Sequence, residues 1–292
     1  MAEARARLPF DLPEVDYEQY TNRQLVAIPL VVLALALAVI AVYYVLNGVP
    51  VGLGIAFTGG TEIQLTTTDS PDAVRSSFDL DVASVQPISS QQDAYIVTFQ
   101  SSDTDAITSQ ARAAGYEWES VQSRSPSFGS TAQRQALLGI AIAFAGMSVL
   151  VFVLFRTFVP SIAVVASAFS DLVIPMALMN VFGIELSLGT VAALLMLIGY
   201  SVDSDLLLNN HVLRRRGSFY ESTYRAMRTG VTMTLTSISA MTVMTIVSFL
   251  FGIPLLPEVG IILVFGLTAD LMNTYLMNVT LLRYYKFEAI DR

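Results

Sequence analysis

Six runs of about 20 apolar residues, each long enough to cross the hydrocarbon core of a bilayer, constrain this chain more than any other feature. They are Leu25–Leu46, Ala136–Phe155, Val159–Phe182, Leu186–Leu208, Val231–Leu250 and Val259–Leu282. Pro175 and Gly183 punctuate the third run, and Gly252-Ile253-Pro254 closes the fifth. The first run exceeds the 7–15 apolar residues of a signal peptide, and no A-x-A-like site follows it, so it is expected to stay as a span. Composition agrees. Of 292 residues 54% are hydrophobic and only 14% charged, against roughly 25% charged in soluble domains, because each charge in hydrocarbon costs free energy. The sequence therefore predicts an α-helical polytopic membrane protein with six transmembrane helices and, between the first two, a small α+β ferredoxin-like domain.

Several chemistries are excluded by residue type. The chain has no cysteine, one histidine (His211) and one lysine (Lys286). That leaves no thiol catalysis, no disulfide and no Cys/His zinc site. No Gly-Lys-Ser/Thr run is present, so no P-loop binds a nucleotide. Ser201 and His211 could suggest a serine protease, but ten residues along one helix separate them by about 15 Å of rise. No enzymatic activity, cofactor or metal is expected.

Arginine placement sets the expected orientation. Arg5, Arg7 and Arg23 precede the first span, and Arg156 lies in the second connection. Arg214, Arg215, Arg216, Arg225 and Arg228 lie in or beside the fourth connection, and Arg283, Lys286 and Arg292 lie at the C-terminus. The third and fifth connections carry no Lys or Arg. The positive-inside rule then puts both termini in the cytoplasm of the cell membrane and residues 47–135 outside. The expected boundaries are 1–24 for an N-terminal segment, 25–46 for the first helix, 47–135 for the outer domain, 136–283 for a five-helix region and 284–292 for a tail.

The outer segment reads as a folded unit. Strands are expected at Glu62–Thr68, Val82–Ile88, Tyr95–Gln100 and Tyr116–Gln122. A helix from Ser70-Pro71 to about Phe78 starts with an N-cap and a Pro at N1, and a second helix is expected over Asp103–Ala114. The βαββαβ order is that of the split βαβ unit. Ten acids against four arginines leave it a net charge of −6, so nucleic acid is not an expected partner. Acids in place of lysines suit high salt, where charge is screened over a few ångströms; an ordinary acidic surface is the alternative.

The spans hold the ionisable candidates. Asp171 lies near the middle of the third span and Asp270 near the middle of the sixth, while Asp203 and Asp205 lie in the cytoplasmic half of the fourth. Each costs about 2.5–3.5 kcal/mol at mid-bilayer, and such residues face a partner, a bundle interior or a water-filled path. Asp203 and Asp205 point about 200° apart on a helix, so at most one faces a given path squarely. Thr229, Thr232, Thr236 and Ser239 form a hydroxyl stripe on the fifth span, better suited to bonding their own backbone or neighbouring helices than to transport. Arg225 and Arg228 stand at its entrance, at about the depth of Asp203. A polar pair between Asp203 and Arg228 is the favoured functional reading, with Asp205 next, and Gly199 on the face of Asp203 is expected to allow close helix approach.

Three motifs carry a family resemblance. Gly54-Ile55-Ala56-Phe57-Thr58-Gly59-Gly60-Thr61 resembles the Phe-Thr-Gly-Gly-Thr signature of the SecF protein-export family, within the resistance-nodulation-division superfamily. Gly199-Tyr200-Ser201-Val202-Asp203-Ser204-Asp205 is similar to that family's fourth-helix motif, and Arg228-Thr229 to its fifth-helix entrance. The resemblance implies work beside the Sec translocation channel in complex with SecD, driven by the proton motive force, with the outer domain handling the translocating polypeptide. It identifies the chain as an archaeal, salt-adapted member. Two departures stand out. Ala56 replaces an Asp of many bacterial members, and Ser204 occupies the place of the family's membrane aspartate, flanked by Asp203 and Asp205. A non-conducting scaffold for SecD or the channel, and a small-molecule exporter, remain as alternatives.

Overall fold

The computed structural model describes residues 17, 19–88, 93–214, 218–251, 253 and 255–289. Arg5, Arg7, Arg215, Arg216, Gly252, Pro254 and Arg292, which entered the sequence reading, lie outside these. All six long apolar helices form. They are α1 (Asn22–Asn47), α5 (Pro126–Phe155), α6 (Phe158–Phe182), α7 (Leu188–Arg214), α8 (Phe219–Leu250) and a last helix beginning with α9 (Leu256–Met272). The last helix continues through a π-helical turn at Asn273–Asn278, then α10 (Val279–Tyr284) and a second π turn (Tyr285–Ala289).

Caps explain where several helices begin. Thr21 and Gln24 form a capping box ahead of α1. Ser125, followed by Pro126 at N1, starts α5 ten residues earlier than hydropathy indicated, and Ser218 starts α8 twelve residues earlier. Both added segments are polar, so apolar patterning could not reveal them. Pro175 does not interrupt α6, which ends at Gly183 in the left-handed conformation.

Between α1 and α5 stands the small domain. Its strands are β1 (Gly60–Thr66), β2 (Val82–Pro87), β3 (Ala94–Phe99) and β4 (Glu117–Arg124), in the order β2-β3-β1-β4 with antiparallel neighbours. Helices α3 (Pro71–Ser76) and α4 (Thr104–Ala113) complete the βαββαβ order. Ile63, Leu65, Val97 and Phe99 pack with Val74, Ile107 and Ala111 to form its core. The expected helix to Phe78 stops earlier, because Ser77 already caps α3.

One short element had no counterpart in the sequence reading. Helix α2 (Ile55–Thr58) turns the chain from α1 into β1 and lies on α5. The Gly59-Gly60 pair makes this junction possible. Gly59 has φ +76° and Gly60 φ +126°, in the left-handed region that side chains avoid. A Cβ on Gly59 would lie 2.7 Å from Pro126, one on Gly129 would lie 2.6 Å from the Phe57 carbonyl, and one on Gly60 would collide with the Phe99 carbonyl. The segment after α1 is also tied to the α6–α7 loop. Gly54 N–H donates to Leu186 O at 3.0 Å, Leu186 N–H to Gly52 O at 2.7 Å, and Asn180 Nδ2 to Pro50 O at 2.9 Å.

Candidate functional site: a buried carboxyl cluster

Three aspartates on three helices meet inside the bundle. Asp171 of α6, Asp205 of α7 and Asp270 of α9 are 1%, 0% and 1% exposed. Ser201 Oγ donates to Asp171 Oδ2 at 2.6 Å, and Asn273 Nδ2 donates to Asp171 Oδ1 at 2.6 Å. Asp205 Oδ1 accepts from Thr274 Oγ1 at 2.9 Å and from Asn278 Nδ2 at 2.7 Å. Ser204 Oγ donates to Asp270 Oδ1 at 2.7 Å and lies 3.3 Å from Thr274 Oγ1, which is 3.4 Å from the same carboxyl oxygen. Ser204 Oγ also donates to Ser201 O at 2.9 Å, so one hydrogen-bonded group joins the three acids.

Local helix geometry explains how the last helix reaches both other acids. Asn273 touches Asp171 and Asn278 touches Asp205, yet they are five residues apart. In a regular α-helix five residues turn about 500°, leaving the two side chains about 140° apart. The π-helical register bonds i to i+5 and brings such residues roughly above one another. The π turn at Asn273–Asn278 is therefore what aims both amides at one cluster.

The charge balance is unusual. No Arg, Lys or His among the described residues bonds to any of the three acids, and the described salt bridge is Arg225–Glu221 at 2.8 Å on the surface. Asp205 Oδ2, Asp270 Oδ2, Asn273 Oδ1 and Asn278 Oδ1 are buried with no partner in the chain. Three bare carboxylates in low dielectric would carry a prohibitive desolvation cost. Neutralising such a group takes positive charge from outside these side chains.

The structure does not bring the favoured sequence pair together. Asp203 is exposed on the outside of α7 and Arg228 is exposed on α8. No ion pair joins them; Arg225, the nearby alternative, bonds Glu221. The cause is the 200° offset already legible in the sequence. Asp205 takes the inward position, so Asp203 is turned out. Gly199 does not mediate close approach either, since a Cβ there would meet nothing within 4 Å. The remaining motif residues bear on the site or the joint. Ser201 holds Asp171, Tyr200 Oη lies 2.7 Å from Ser237 Oγ of α8, and buried Thr61 Oγ1 donates to Ser123 Oγ at 3.0 Å beside Gly59 and Gly60. Thr229, Thr232, Thr236 and Ser239 each donate to a carbonyl four residues back, as their spacing suggested. His211 Nδ1 lies 2.8 Å from Leu207 O.

Sequence reasoning missed Asn273, Thr274 and Asn278, and treated Ser204 only as a motif departure. A signal existed: Asp270, Thr274 and Asn278 recur every four residues along the sixth span. A second pair of acids lies near the small domain. Burial pushes the Glu62 carboxyl above its ordinary range, helped by the neighbouring charge of Glu185, and burial also raises Glu185.

The sequence profile of the protein-export membrane protein SecD/SecF, C-terminal, matches residues 105–288. The protein-export membrane protein SecF of Haloferax volcanii is 64% identical over 285 residues, covering 97% of this chain and 99% of the relative. That of Haloquadratum walsbyi is 62% identical over 289 residues, covering 97% and 99%. The Pyrococcus furiosus protein of the same name is 38% identical over 273 residues, covering 90% of each. Among solved structures, SecDF from Thermus thermophilus, a translocon-associated membrane protein, superimposes with a TM-score of 0.73 at 18% identity. That match covers 94% of this chain and 39% of the SecDF chain, so the likeness extends to the fold of one part of the larger protein.

Proposed function

Because the chain belongs to the SecF family of protein-export membrane proteins, we propose that it assists polypeptide translocation by spending an ion gradient at the Asp171–Asp205–Asp270 cluster. The observation that carries this reading is the burial of three acids together with no cation from the chain beside them. A scaffold needs no such group. Buried ionic clusters contribute little stability compared with apolar packing of similar volume. An ion-coupled subunit does need groups that can be neutralised and released as helices shift.

Orientation follows from charge. Arg23, Arg156, Arg225, Arg228, Arg283 and Lys286 mark the end of the bundle that carries the termini, while the short third and fifth connections at the opposite end carry no Lys or Arg. The termini then lie in the cytoplasm, and residues 47–135 form the extracytoplasmic domain. There β4 runs along the sheet edge with mostly exposed residues, a form that takes an added strand from an extended chain. That suits a translocating polypeptide emerging from the Sec channel.

SecD is the partner in the membrane. Asp203, Arg225 and Arg228 face outward from α7 and α8, and much of α8 is uncovered by this chain. Lipid is a poor neighbour for these charges, whereas a second polar bundle can satisfy them. Membranes from cells lacking SecD are expected to hold several-fold less of this chain. Unchanged abundance and a stable monomer in mild detergent would refute the partnership.

The coupling reading is tested with Asp205→Asn, which keeps the shape and removes the ionisable group. Export is measured with an ion gradient imposed and then collapsed. The gradient-dependent increment is expected to vanish, with SecD still co-purifying. A normal increment in this variant would leave the scaffold reading standing.

A further inference from the structure

We infer that Asn209 and Asn278 line the path by which the coupled cation passes between the carboxyl cluster and the end of the bundle that carries the termini. The inference rests on the proposed coupling role of the cluster and adds its side of access and a residue that controls it. Asn209 is fully buried, and both its amide nitrogen and its amide oxygen have no partner in the chain. Being four residues after Asp205, it lies on the same helix face, one turn toward the termini. Asn278 bonds Asp205 through Nδ2, and its Oδ1 is unpartnered. Ser167, four residues before Asp171 on α6, is buried beside Asp171 and Asp205 and belongs to the cluster itself. The unpartnered amide atoms beyond the cluster therefore continue it in one direction, from two helices.

The other direction is apolar. One turn from Asp270 toward the small domain is Gly266, and the side chain of Leu197 is pressed against it so closely that a Cβ would collide. Leu194, Leu197, Ile198, Ile262, Leu263 and Leu267 fill this side as one packed group. Lengths point the same way. From Asp205 to the end of α7 at Arg214 is about 14 Å of helix, and back to Leu188 about 25 Å. Asn209 stands roughly midway along the shorter route. A small cation, hydronium or a metal ion such as sodium, crosses that distance with water bonded to side-chain amides and hydroxyls. Asn209 offers both a donor and an acceptor for this. Beyond Asn209, Leu208, Val212, Phe219, Val279 and Leu282 pack with Tyr17 and Leu25 as one buried apolar group, so this structure is closed at the termini end as well as toward the domain, and the path is one that opens as the helices shift.

The test uses the complete chain in its SecD-containing complex, reconstituted in vesicles with the export channel. Asn209→Leu fills the same space without polar atoms. It is expected to cut the gradient-dependent export increment roughly tenfold or more, with the melting temperature of the complex unchanged or raised, because an unsatisfied buried amide has been removed. Asn209→Ser, which restores a hydroxyl and room for water, is expected to recover at least half of the increment. Imposing a proton gradient and a sodium gradient separately identifies the cation, and loss in either supports the path. A normal increment in Asn209→Leu, beside a lost one in Asp205→Asn, would overturn the path and leave the coupling site intact. A lowered melting temperature with no recovery in Asn209→Ser would make Asn209 a packing residue and overturn it as well. A normal increment in Asp205→Asn would remove the coupling reading and the path together.

Discussion

Asp171→Asn and Asp270→Asn should each abolish most of the export that an imposed ion gradient adds, roughly a tenfold loss or more, while Asp203→Asn should retain at least half of it. The contrast comes from burial and partners. Asp171 and Asp270 lie in the same hydrogen-bonded group as Asp205, with no chain cation to balance them. Neutralising one changes how many small cations the group must hold. Asn keeps the volume and one acceptor oxygen, so folding and assembly should survive. Removing a buried ionisable group without leaving a partner charge unpaired carries little cost. Asp203 is outside this network, and its loss affects only contacts beyond the bundle surface. Export is measured as the difference between energised and collapsed vesicles. A retained increment in both inner variants, with loss in Asp203→Asn, would move the coupling site to the outer face of α7 and return the Asp203–Arg228 reading.

Much of this architecture was legible in the sequence because membrane spanning and sheet alternation leave periodic signals. All six helices form in the six apolar runs, and the expected βαββαβ order forms one four-stranded sheet. The hydroxyl stripe of α8 bonds its own backbone, as its four-residue spacing suggested. The sequence also indicated that Asp203 and Asp205 diverge. It could not say which faces inward, because the rotation of α7 is set by packing on α6 and α9. The close fit of Leu197 on Gly266 is one such contact. The π turn was equally invisible. No residue at Asn273–Asn278 breaks an α-helix, and the change of register that aims Asn273 and Asn278 together comes from tertiary context. The polar starts of α5 and α8 were lost for the opposite reason, since a capped helix end outside hydrocarbon has no hydropathy signal.

The joint between the domain and the bundle is where a single methyl group should do the most damage. Gly60→Ala places a Cβ against the Phe99 carbonyl at a φ of +126°. Backbone strain of about 1–3 kcal/mol adds to an overpacking cost of about 1–3 kcal/mol. A loss of about 2–6 kcal/mol is a large share of a typical stability of about 5–15 kcal/mol. The clash cannot relax cheaply. Thr61, the next residue, pairs with Phe99 in the β1–β3 ladder, and Gly59 is held against Pro126 at the start of α5. Moving Gly60 therefore means moving the sheet or the α2–α5 contact. Gly115→Ala is the matched control, because Gly115 also has a positive φ, +78°, but a Cβ there meets nothing within 4 Å. It should cost about 1–2 kcal/mol from left-handed strain alone. Limited proteolysis of the domain and thermal unfolding of the purified complex should rank the variants as wild type, Gly115→Ala, then Gly60→Ala. If Gly60→Ala is no less stable than Gly115→Ala, the close approach at Phe99 does not hold the joint.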